Sequence, residues 1–146
     1  MKVNEPLIEV TQRFQASIED VWNAITDVHQ MRQWFFTTIP AFQPEVGFKT
    51  KFIITNEGRI FPHLWEITEV IPFKKIVYNW RYEGYQGNSF VTFQLSETNH
   101  QTQLTLTAKI TEDFSDDIPE FKRESCLYGW NYFIKESLVT YLNSKI

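Results

Sequence analysis

The chain has 146 residues, a length that suits one domain spanning residues 1–146, with 14 Lys and Arg against 18 Asp and Glu. The net charge of −4 argues against a nucleic-acid footprint, which needs clustered Lys and Arg, and the single cysteine, Cys126, excludes an internal disulfide. Aromatic residues make up 16%, enough to fill a large core or to line an apolar cavity.

Residues 7–14 alternate as a strand, with Ile8 and Val10 on one side. Ser17 is a good N-cap with Asp20 three residues on, and Val21, Trp22 and Ile25 give a short helix its buried side. Asp27 is placed to cap a second short helix, with Val28, Met31, Trp34 and Phe35 at helical spacing. Pro40 and Pro44 bracket an irregular segment. Residues 47–54 then read as a strand and Asn56, Glu57 and Gly58 as a turn. A second strand covers residues 59–70, where Pro62 predicts a late or irregular start. After a turn at Pro72, residues 76–82 put Ile76, Tyr78, Trp80 and Tyr82 on one face. Residues 89–96 do the same with Val91, Phe93 and Leu95, and residues 103–109 with Leu104, Leu106 and Ala108. The acidic stretch 112–117 reads as a solvated loop.

Residues 117–146 predict one long helix. Asp117 is placed to cap it, Pro119 sits in the first turn, and Glu120 stands at the capping-box spacing. Leu127, Trp130, Ile134, Leu138 and Tyr141 recur in steps of three and four, one face of a helix. Gly129 interrupts this run. A helical glycine costs about 1 kcal/mol against alanine, which close packing or access to a ligand would offset.

The order is strand, two short helices, five strands and a long helix. Short connections favour antiparallel pairing in a meander. One strand face is apolar and the other carries Thr, Gln and Lys, so the predicted architecture is α+β, a sheet of about six strands covered on one side by the long helix.

Four phrases carry a family likeness. Residues 14–24, with Ala16, Val21, Trp22 and Ala24, form the first; Trp34 followed by Phe35 is the second. The third is Pro72 with Ile76, Val77, Tyr78 and Trp80, and the fourth is Gly129 and Trp130 with Leu138, Tyr141 and Leu142. In this order they resemble the helix-grip fold of the START-related, SRPBCC-type superfamily. The closing phrase is similar to the branch named after the activator of the heat-shock-protein-90 ATPase, specifically its C-terminal domain. The resemblance implies a curved sheet gripping a long helix, with an apolar ligand site between them. It also implies a chaperone partner and a role in the stress response. The candidate lining is Phe52, Ile54, His63, Trp65 and Ile67 from the first two meander strands. Tyr78, Trp80, Phe93, Leu104 and Leu106 follow from the later strands, and Trp130, Phe133 and Ile134 from the helix.

No pair among His29, His63 and His100 has metal-ligand spacing, and no nucleophile, phosphate or dinucleotide motif occurs. No metal, cofactor or catalytic residue is therefore assigned. A cavity hydrolase or cyclase would draw on His63, Glu66, Tyr78 or Asp113, which nothing in the sequence links. Glu66 and Arg81 are candidates for a cross-strand ion pair. No run is long and apolar enough to span a membrane, and the lone cysteine fits a reducing, cytoplasmic setting. The leading expectation is a binding module for an apolar, aromatic or lipid-like small molecule; the rivals are a chaperone regulator and a cavity enzyme. Oligomeric state is not legible.

Overall fold

A computed structural model describes residues 1–145. The alternating stretches form β1 (Ile8–Phe14), β2 (Lys49–Asn56), β3 (Arg59–Ile71), β4 (Lys75–Tyr82), β5 (Asn88–Thr98) and β6 (Gln101–Glu112). They make one antiparallel sheet in the order β1-β6-β5-β4-β3-β2. The meander is thus as expected, and β1 closes it against β6. Two hairpins turn on two residues each, Glu57 with Gly58 and Asn99 with His100, all at positive φ. Such turns match the twist of paired strands. Bulges interrupt the ladder at Thr68 in β3 and at Thr111 in β6, opposite Asn88 and Ser89, and they sharpen the curl of the sheet.

Pro62 does not delay β3, which starts at Arg59. The β3–β4 ladder begins only at His63 and Tyr82, so the missing proline N–H breaks no rung of it.

The helices α1 (Ile18–Thr26) and α2 (Val28–Trp34) follow β1. Ser17 Oγ accepts the Asp20 N–H at 3.1 Å, the cap read from the sequence. Asp27 sits at the start of α2 but its side chain makes no cap bond. The Trp34 indole donates to Ala24 O at 2.7 Å and holds the two helices in a V.

The last helix begins later than its spacing predicts. A single 3-10 turn (Pro119–Phe121) comes first, Lys122 is extended, and α3 (Arg123–Asn131) starts only then. Two tertiary contacts outcompete the expected cap at Asp117. Glu120 turns to Arg59 and Asn56 on the β2–β3 hairpin, with bonds of 2.7–2.9 Å. Phe121 is drawn into a buried cluster with Phe61 and Phe114. After α3 the backbone widens into a π-helical stretch (Tyr132–Ser137) and ends as α4 (Leu138–Asn143). The expected end at Ile146 lies outside the described residues.

The π stretch has a geometric use. Trp130, Ile134, Leu138 and Leu142 are all buried, each four residues from the last. In a straight α-helix each such step drifts by about 40° around the axis. A wider turn in the middle removes part of that drift and keeps the four side chains facing the sheet. Ser137 and Tyr141 then bond to Trp34 O and Gln30 on α2, at 2.6 and 3.0 Å. The result is an α+β helix-grip fold.

Candidate functional site

Between the inner sheet face and the C-terminal helix lies a block of aromatic rings. Its centre is Phe35, just past the end of α2. The ring stacks on Trp34 at 4.7 Å and lies 5.6 Å from Trp65, 5.8 Å from Trp130 and 4.9 Å from Phe133. Phe36 lies beside it, 5.3 Å from Phe52 and 5.1 Å from Phe133. Two adjacent residues cannot share one helix face. The chain leaves helical geometry at Phe35 (φ −106, ψ −116), and both rings then pack into the grip.

These rings fill most of the space but not all of it. A cavity of about 140 Å³ remains between β3, β4, β5 and α3. His63, Trp80, Trp130 and Phe133, named from the sequence, border it. Trp65, Ile67, Tyr78, Phe93, Leu104, Leu106 and Ile134 are fully buried in the core, and Phe52 stacks on the His63 ring at 4.8 Å. Ile54 is half-buried against that core. Sequence reasoning did not single out Phe36, Tyr82 or Ser89 as cavity walls. The consecutive Trp34, Phe35 and Phe36 were the available signal for the first. A second depression, about 250 Å³, lies on the outer sheet face between charged, solvent-facing side chains such as Lys49, Lys51 and Arg81.

The polar groups of the cavity have separable roles. His63 is 5% exposed, and its Nδ1 lies 3.0 Å from Phe61 O. A carbonyl can only accept, so Nδ1 carries the proton and Nε2 is a bare acceptor. Burial pushes the imidazole down to about 4, against a smaller upward pull from the Phe61 carbonyl. Nε2 has no partner among the described residues. The Tyr82 hydroxyl accepts the Trp80 indole N–H at 3.0 Å, and burial raises its pKa. Ser89 Oγ is already donating to Trp80 O at 2.8 Å. Desolvation raises the Cys126 thiol to about 11, so it is not a thiolate nucleophile at neutral pH.

Gly129 borders the same cavity. A Cβ built there meets nothing within 4 Å, so close packing does not explain the glycine.

The other candidates for chemistry are scattered. Tyr78 is fully buried, Asp113 accepts the Val3 N–H, and Glu66 pairs in register with Asn79 rather than Arg81. The Glu66–Arg81 ion pair is not found among the described residues. There too, no group of three or more His, Cys, Asp or Glu side chains is placed to hold a metal. None of the described helices is long and apolar enough to cross a membrane.

A curved antiparallel sheet, two short helices at one end and a long helix across its inner face define a START-like helix-grip protein. Solved structures agree on this fold. Mll3558 from Rhizobium loti superposes with a TM-score of 0.79 at 18% identity, covering 93% of this chain and 96% of that one. The Aha1 dimer from Colwellia psychrerythraea gives 0.73 at 23%, covering 94% and 96%. DynU16, from the dynemicin biosynthetic locus, gives 0.75 at 22%; 97% of this chain is covered but it spans only 48% of DynU16. No curated protein matches the sequence. Residues 15–143 match the family described as Activator of Hsp90 ATPase homolog 1-like protein, and the chain belongs to that family.

Proposed function

We propose that this protein binds a small apolar or aromatic molecule in the cavity between its sheet and its C-terminal helix. The observation that carries this reading is Gly129. It stands mid-helix, where glycine costs about 1 kcal/mol, and it has no packing reason to be there. What it does have is a place on the cavity wall. A larger side chain at this position would grow towards the space that a ligand would fill. The walls combine six aromatic rings, Phe36, Trp80, Tyr82, Phe114, Trp130 and Phe133, with a few polar groups, a make-up that suits a small-molecule site.

Native mass spectrometry of the freshly purified protein, followed by denaturing extraction, tests the proposal. A stoichiometric extra mass on the 17.4 kDa chain is expected, and its absence from Gly129→Leu. An adduct retained by Gly129→Leu would place the ligand elsewhere.

A second reading follows from the family match itself. The protein would act on an Hsp90-type chaperone, as the family description says of its namesake. A coupled ATPase assay with the cognate chaperone decides it. An unchanged rate at saturating protein discards the idea.

A further inference from the structure

The size and the polar atoms of the cavity narrow the class of ligand; this step rests on the reading of the cavity as a ligand site. A dry cavity of about 150 Å³ accommodates benzene. The space here, about 140 Å³ and open to solvent on one side, is of the size of one six-membered ring. Its walls offer ring faces and edges from Phe36, Trp80, Trp130 and Phe133.

Two polar atoms on the wall have unused hydrogen-bonding capacity, and they are of opposite kind. His63 Nε2 is an acceptor without a donor, because Nδ1 holds the only proton of the neutral ring. The Tyr82 oxygen receives the Trp80 N–H, and its own hydrogen has no acceptor among the described residues. Two further polar groups are engaged, while Ser125 and Cys126 stand on the α3 side of the wall. Ser89 donates to Trp80 O, and the Glu120 carboxylate is held by Arg59 and Asn56. The His63 and Tyr82 rings lie 4.7 Å apart, and a hydroxyl is the group that can both give a hydrogen and receive one.

We propose that the cavity takes a one-ring phenol, its hydroxyl donating to His63 Nε2 and accepting from the Tyr82 hydroxyl. Binding pairs both atoms, and the ring covers the aromatic wall. An unpaired polar atom in such a site would be penalised, so the choice between a hydroxyl and a methyl group is sharp.

Phenol and toluene have nearly the same shape, so titration calorimetry of the full chain with each isolates the hydroxyl. A wholly apolar cavity favours toluene, because phenol must shed water from its hydroxyl. The expected result is the reverse, with phenol bound at least about tenfold tighter. His63→Phe keeps a ring at the position and removes the acceptor. It should bring phenol down to the affinity of toluene or below and leave toluene unchanged. Equal or tighter toluene binding to the unmodified chain would overturn the hydroxyl assignment while the cavity reading stands. Binding of neither compound would overturn the one-ring proposal, while the cavity reading stands or falls on the native mass spectrum. Phenol bound equally well by Gly129→Leu would place the ring outside the cavity and also overturn the proposal. The comparison on the unmodified chain requires no variant to fold.

Discussion

His63 is kept neutral by its surroundings, and this makes the fold sensitive to acid. Unfolded, the side chain titrates near its ordinary value of 6.5; folded, it stays neutral down to about 4. Between these values the unfolded chain binds a proton that the folded chain does not. Stability from this residue is complete above pH 6.5, falls as the pH drops, and levels off below about 4. The full difference is about 3 kcal/mol. Urea unfolding at a series of pH values should show this slope, and His63→Phe should remove it. Gly129 gives a second prediction at the same scale. Gly129→Ala adds a methyl that meets nothing, so it should raise stability by about 1 kcal/mol in chemical unfolding. A loss instead would show that the backbone there needs glycine.

Among the elements, the 3-10 turn ahead of α3 depends on its link to the β2–β3 hairpin. Arg59 grips Glu120 with two nitrogens, Nε at 2.8 Å from Oε1 and Nη2 at 2.9 Å from Oε2. Glu120 lies on the cavity rim, so the same contact holds a wall of the site. Solvent screens this pair, so it contributes little to global stability. The effect of Glu120→Ala should be local. Amide hydrogen exchange should quicken at Phe121 and Lys122 and stay unchanged in the sheet; uniform quickening would mean that the pair supports the whole fold.

This turn also shows where a sequence stops being readable. The strands were legible because alternation is local, and the sheet enforces it along most of β5 and β6. The cap at Ser17 was legible because its acceptor and donor lie three residues apart. Asp117 carried an equally good local signal, yet Glu120 found a stronger partner in Arg59, far away in the chain. The site was partly legible for the same reason. His63, Trp80 and Trp130 follow from strand and helix faces, while Phe36 reaches the cavity only because the chain breaks out of helix beside it. No local pattern sets the volume left between those rings.

At the scale of the whole molecule, the two edges of the sheet are treated differently. The β1 edge is partly covered from within the chain. Lys135 Nζ donates to Thr11 O at 2.9 Å, and Arg123 donates to Pro6 O. The β2 edge has no neighbouring strand in the sheet, but it carries exposed Lys49 and Lys51. Lysines on an open edge discourage another chain from pairing there. Replacing both with valine should promote self-association, read as a rise in sedimentation coefficient with concentration. An unchanged coefficient would show that the lysines do not guard the edge.

The aromatic packing over that sheet has an optical consequence. The Trp65 and Trp80 rings are 5.0 Å apart, and Trp80 and Trp130 are 5.4 Å apart. Indoles this close couple their electronic transitions, so the row should give a strong exciton signal in circular dichroism and pass excitation along its length. Two of its three members stand on the cavity wall. The protein thus carries a built-in, label-free chromophore whose spectrum responds to whether that space is filled.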